Sequence, residues 1–265
     1  MLLLRLVLSM FFAFVAADSL TVRSVRAQGT AVQIPGLPGT TPESLPGKLY
    51  RPSGAGPFPG IVVLHTCGGI DGNLQDWGSR FADWGYVAIL PDSFSPRGIN
   101  KVCNNGKVTA GDRVPDVHAA AAYLRTLPFV RADRIGAIGY SHGGGTSVLT
   151  ALRPPQGPAL QAAVAFYPAC PPNAVTPRIP TLVLIGDKDD WTPAPQCEIW
   201  RDRVANADRL SVVVYPGVYH AFDQRTAAGQ AFGAGGVAHK LEYNGGATAD
   251  ATSKTQAFFA KWLKN

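Results

Sequence analysis

Short apolar runs, each closed by glycine, proline or a polar cluster, alternate along this chain with stretches whose apolar positions fall three and four residues apart. The runs predict buried strands at 61–64, 86–90, 134–139, 162–167, 181–185 and 210–215, with an earlier antiparallel edge strand at 48–51. The spaced segments predict amphipathic helices at 74–84, 115–127, 142–152, 195–205 and 249–264. A Pro- and Gly-rich entry covers 34–47. Strands alternating with helices imply an α/β class with a largely parallel sheet flanked by helices. In such sheets ligands lie outside the carboxyl ends of the strands, so chemistry is sought in the loops that leave them.

Four such loops carry polar or small residues: His65-Thr66-Cys67-Gly68-Gly69, Gly139-Tyr140-Ser141-His142-Gly143, Gly186-Asp187-Lys188-Asp189-Asp190 and Tyr219-His220-Ala221-Phe222-Asp223. The second is a G-x-S-x-G pentapeptide. Among 29 glycines that pattern arises easily by chance, but here a buried strand precedes it and a helix-compatible segment follows. Strand, sharp turn and helix together make a nucleophile elbow presenting Ser141. A serine is a weak nucleophile until a base removes its proton, so the elbow requires a histidine held by a carboxylate.

The loop after 181–185 offers Asp187, Asp189 and Asp190, of which Asp189 is favoured and the others read as solvated or capping residues. Five histidines are available. His118 falls on an Ala-rich helix and reads as a surface or packing residue; His142 follows the serine too closely to turn its ring on it; His239 lies in a Gly-rich segment and reads as a loop residue. His220, beyond the last strand and after Asp189, is the expected base. Backbone amides of His142 and Cys67 are the expected donors to an oxyanion.

Bulk properties narrow the alternatives. A chain of 265 residues, 46% hydrophobic and 16% charged, can bury one α/β core, expected over 28–265. Residues 1–27, with an apolar run behind Arg5, predict a secretory signal peptide cleaved after Ala17 or Ala27, hence a secreted or periplasmic protein without stable membrane association after processing. Its removal takes away Arg5, Arg23, Arg26 and Asp18 and lowers the formal charge of +6 by two. Basic residues do not cluster with aromatics, so nucleic acid is not an expected partner. No motif for a metal, nucleotide or other cofactor is present, and none is expected. The four cysteines lack C-x-x-C spacing, which favours two disulfides in an exported chain over a zinc site.

With these residues placed, the chain resembles the dienelactone hydrolase family of the α/β-hydrolase fold. The likeness runs through Gly56-Pro57-Phe58-Pro59-Gly60-Ile61-Val62-Val63-Leu64-His65, Leu90-Pro91-Asp92-Ser93-Phe94, Ser141-His142-Gly143-Gly144, Tyr219-His220-Ala221-Phe222-Asp223 and the closing helix over 250–263. The resemblance implies a lid-free hydrolase of small esters or lactones. Two departures stand out. The family's name-giving enzymes use a cysteine nucleophile where this chain has Ser141, and a glutamate where it has Thr66. They also grip a substrate carboxylate with arginines, and Arg97 lies near one such position. Phe94, Trp191, Tyr219 and Phe222 are candidate walls of a substrate pocket. On this architecture Cys67 and Cys103 follow neighbouring strands, as do Cys170 and Cys197, and these are the expected bridges. The competing readings are a non-catalytic binding protein on the same fold, or a peptidase or amidase.

Overall fold

Strand β3 (Phe58–Leu64) shows how the sheet comes to be buried on both sides: Ile61 and Val63 enter one apolar cluster, while Val62 and Leu64 enter the other. Side chains alternate across a strand, so a run apolar at every position can rest only between two covering layers. The computed structural model describes residues 27–265. The expected leader, apart from Ala27, lies outside the described residues.

Eight strands form one sheet in the order β1-β2-β4-β3-β5-β6-β7-β8. After β1 (Thr30–Pro35) and β2 (Ser44–Tyr50) come β3, β4 (Val87–Pro91), β5 (Val130–Tyr140), β6 (Ala162–Phe166), β7 (Thr181–Gly186) and β8 (Leu210–Tyr215). Strands β3 to β8 run parallel, and β2 is antiparallel to both β1 and β4. Helices α1 (Gly72–Asp83), α2 (Val114–Thr126), α3 (His142–Leu152), α4 (Ala194–Arg203) and α5 (Gly245–Phe259) connect and cover them. Trp77 and Phe81 of α1 and Phe259 of α5 pack on the face holding Ile61 and Val63; Val117, Ala120 and Leu124 of α2 pack on the other. Each ring or branched chain so buried contributes about 1.5–3 kcal/mol.

Local chemistry sets the helix starts. Asp71 caps α1 by accepting from the Leu74 amide at 2.8 Å, and Asn244 caps α5 by accepting from Ala247 at 2.9 Å. Without such acceptors the first amides of each helix would be orphaned. The Asn244 cap starts α5 four residues ahead of the segment that spacing alone predicts.

Two parts of the fold depart from expectation. The strand expected at 48–51 as an edge is the end of β2, which lies inside the sheet, and the edge is β1. Prolines 35, 42 and 46 make this region read as an irregular entry, yet Pro46 occupies a register position opposite Gln33. The second departure is a separate antiparallel hairpin, β9 (Ala228–Phe232) with β10 (Ala238–Glu242), where the sequence suggests a glycine-rich loop. Among the described residues no helix is long and apolar enough to cross a membrane.

Candidate active site

The four predicted loops meet at the carboxyl edge of the sheet. Strand β5 delivers Ser141 in a left-handed conformation, φ 52° and ψ −115°, strained for a residue with a Cβ. Its neighbours explain the pentapeptide. A Cβ on Gly139 would stand 1.9 Å from the Gly143 carbonyl oxygen, and one on Gly143 would stand 2.4 Å from that of Leu64. Only glycine lets strand, turn and helix approach this closely.

His220 places Nε2 2.9 Å from Ser141 Oγ and Nδ1 2.7 Å from Asp189 Oδ2. Asp189 and His220 are buried. The carboxylate is fixed from three sides: its Oδ1 accepts from the Trp191 and Thr192 amides, and Oδ2 accepts from the Thr192 hydroxyl. Charge-assisted bonds of this kind lock both position and rotamer. Asp187 instead accepts from the Gly217 amide, and Asp190 from the Lys240 amide of the hairpin.

His142 is excluded as a base by its partners. Arg113 can only donate, so its bond of 2.9 Å to His142 Nδ1 makes that nitrogen the acceptor, and Nε2–H donates to the Val108 carbonyl at 3.0 Å. Burial, then the Arg113 charge, push the His142 pKa down to about 4. The buried Arg113 also donates to the His65 carbonyl at 2.9 Å, tying the loop before Cys67 to the segment after Ser141. Burial lowers its own pKa to about 9, which leaves it a cation at neutral pH. Among the described residues the amides of Cys67 and His142 donate to no protein acceptor.

Cys67 is bridged to Cys103 and Cys170 to Cys197, the pairs expected. Two clefts open on Ser141. One, of about 260 Å³, is lined by Val102, Ala110, His142, Gly145, Ala169 and Thr192. The other, of about 210 Å³, is lined by Asp71, Tyr167, His220, Gln224, Ala231 and Leu241. The Cys67–Cys103 bridge and Trp191 face both.

The candidate wall residues separate into two groups. Trp191 lines both clefts, its ring 5.2 Å from His220 and stacked at 4.7 Å on His239 of the hairpin. Phe94 is instead buried behind the loop that begins at His65, 4.4 Å from the His65 ring, and Phe222 is core. Tyr219 faces Lys240. Arg97 is corrected as well. Its guanidinium forms a forked ion pair with the buried Asp116 at 2.8 and 3.0 Å and donates to the Ser93 and Thr41 carbonyls, so it clamps loops to α2 and lines neither cleft.

Tyr167 is a site residue that sequence reasoning misses. It follows β6 at φ 38°, lays its ring 4.7 Å from His220 and donates to Asp223. Asp223 also accepts from Trp77 Nε1 and Asn73 Nδ2, both at 2.9 Å. The only signal for Tyr167 in the sequence is its place as the last residue of the strand expected over 162–167.

Sheet order, elbow and site together define an α/β-hydrolase fold, and the comparisons agree. A model of the dienelactone hydrolase family matches residues 45–263, and the chain belongs to that family of hydrolases. A Bradyrhizobium protein named "Probable 2-oxo-3-(5-oxofuran-2-ylidene)propanoate lactonase" is 31% identical over 70% of this chain and 82% of its own length. A Synechocystis protein with a carboxymethylenebutenolidase designation is 26% identical over 82% of this chain and 92% of its own. Among solved structures, a dienelactone hydrolase-like promiscuous phosphotriesterase from metagenomic libraries superposes with a TM-score of 0.70 at 22% identity, covering 89% of this chain and 99% of that one. The dienelactone hydrolase of Anabaena variabilis gives 0.63 at 18% identity, covering 90% and 100%.

Proposed function

We propose that this protein is a serine hydrolase that cleaves carboxylic esters or lactones through an acyl-enzyme, acting after export to an oxidising compartment. The observation that carries the reading is the unbroken hydrogen-bond line from Ser141 Oγ through His220 to Asp189.

In this reading His220 Nε2 takes the hydroxyl proton as Ser141 Oγ bonds to the carbonyl carbon. The carbonyl π pair moves onto oxygen, and the amides of Cys67 and His142 donate to the resulting oxyanion, each worth about 3 kcal/mol in comparable sites. Asp189 accepts the Nδ1–H throughout and stabilises the imidazolium. Collapse breaks the bond from carbon to the leaving oxygen, which takes the proton from Nε2; in a lactone that oxygen stays tethered to the acyl chain. Water repeats the sequence, releasing a carboxylic acid and restoring Ser141.

Export is supported by the apolar leader over 1–27 and by two disulfides, which persist where thiols are not kept reduced. The fixed triad geometry favours catalysis over a binding role, because a binding protein has no need of a strained serine against a buried imidazole.

A fluorophosphonate probe should label the protein once, at Ser141, and Ser141→Ala should lower turnover of p-nitrophenyl acetate by at least about a thousandfold. Undiminished turnover in Ser141→Ala would sink the proposal.

A further inference from the structure

A substrate carboxylate would meet no cation in this site. Apart from the histidines, Asp71 is the single charged side chain among the described residues lining the two clefts. Arg97 is spent on Asp116, and the buried Arg113 lies behind the His142 ring, its Nη1 donating to the His65 carbonyl and His142 Nδ1, and lines neither cleft. Arg80 and Arg225 line neither cleft but an adjoining cavity that shares Asp71, in company with Asp76 and Asp223.

The chemistry of the triad assigns the clefts. A leaving oxygen must collect its proton from His220 Nε2, so the alcohol portion lies on the side that His220 lines, in the cleft of about 210 Å³ with Asp71, Gln224 and Leu241. The acyl portion takes the remaining direction, past the His142 amide, into the cleft of about 260 Å³ walled by Val102, Ala110, Gly145 and Ala169. The acyl side is therefore small and uncharged, and the alcohol side carries one carboxylate. Moving an anion from water into either cleft removes hydration without supplying a counter-charge, and on the alcohol side adds repulsion.

Resting on the proposed esterase reading, we infer that this enzyme selects uncharged acyl groups and neutral or cationic alcohol portions, with Asp71 as the specificity-determining residue, and discriminates against carboxylate-bearing substrates. This departs from the substrates that the names of its relatives denote, both of which carry a carboxylate.

Two matched series test it, each enzymic rate being divided by the rate of hydroxide-catalysed hydrolysis of the same ester. On the alcohol side these are phenyl acetate, 3-acetoxybenzoate and 3-acetoxyphenyltrimethylammonium; on the acyl side, 4-nitrophenyl hexanoate and mono-4-nitrophenyl adipate. The expected result is a kcat/KM for each neutral ester about tenfold or more above its carboxylate partner, with the cation at least equal to phenyl acetate. Asp71→Asn, which preserves the helix cap, should narrow the cation-to-carboxylate ratio roughly fivefold and leave the acyl-side ratio in place. A carboxylate member turned over as fast as its neutral partner in either series overturns the inference. An unchanged ratio in Asp71→Asn removes Asp71 as the determinant. Both outcomes differ from failure of the esterase reading, in which no ester shows Ser141-dependent turnover and the inference falls with it.

Discussion

The phenol of Tyr167 donates to the carboxylate of Asp223 at 2.5 Å, joining the end of β6 to the residue three beyond His220. Asp223 is buried and serves Trp77 and Asn73 as well, so its removal strands three donors. Asp223→Ala should lower the unfolding free energy by about 2–4 kcal/mol, and Tyr167→Phe by about 1 kcal/mol. Urea denaturation measures both; a loss under about 0.5 kcal/mol for Asp223→Ala would show the network to be incidental.

Arg113 touches both segments whose amides are proposed to bind the oxyanion, through His65 and His142, and lines neither cleft. On the proposed mechanism it is a positioning residue. Arg113→Met should lower kcat for a neutral ester by roughly ten- to a hundredfold with KM changed less than about threefold, since a misplaced donor is felt in the transition state. A rise in KM at unchanged kcat would contradict this role.

The glycines of the elbow and of the helix that follows it are not equivalent. Gly139→Ala drives a methyl into the Gly143 backbone and should lose about 3 kcal/mol or more, or fail to accumulate as folded protein. At Gly145 the nearest atom to an added Cβ is Ala110 Cβ at 3.4 Å, so Gly145→Ala should fold with a melting temperature near the parent's. Equal tolerance at both sites would contradict the interlock of strand and helix at Gly139.

Histidines held neutral by the fold, one buried and one half-buried, make stability depend on pH. His142 titrates near 4 when folded against 6.5 as the free group, and His65 is also held well below its ordinary value by burial and Arg113. Below pH 6.5 the unfolded chain binds these protons while the folded chain refuses them, so stability falls as pH drops from about 6.5 towards 4. His142 alone accounts for up to roughly 3 kcal/mol of that fall. His142→Gln should flatten the slope of urea midpoint against pH over this window; an unaltered slope would show that other groups set it.

The Cys67–Cys103 bridge anchors the residue whose amide is proposed to donate to the oxyanion, and the Val102 amide adds a bond to the Cys67 carbonyl at 2.8 Å. Cys103→Ser should depress kcat more than about fivefold while the second bridge keeps the domain folded. Activity equal to the parent's would mean that the backbone alone holds the loop.

Sequence pattern reaches the strand ends and the residues after them, because a strand apolar at every position must be interior and its exit must lie at the sheet edge. That logic brings Ser141, Asp189 and His220 to one place. It cannot say which way Arg97 turns, since a guanidinium one loop away serves equally well on a substrate or on Asp116. Nor can it find β1 or the hairpin, where proline and glycine mask the alternation of side chains. His239, a loop residue by its glycine-rich surroundings, stacks on Trp191 only because β10 carries it there.

The hairpin meets the loops of the site through a bridge from Leu241 to His220, the Glu242 amide on the His220 carbonyl, the His239 stack on Trp191, and contacts of His239 and Lys240 with Asp190 and of Lys240 with Tyr219. Its strands pair with each other and stand apart from the eight-stranded sheet. Ala231 and Leu241 nonetheless wall the cleft assigned to the alcohol. Changes of length or composition there would reshape what the enzyme accepts without disturbing the strands that carry its reacting groups. On the proposed reading, substrate range and the stability of the sheet would therefore rest on different pieces of chain, and one could drift through mutation while the other is kept.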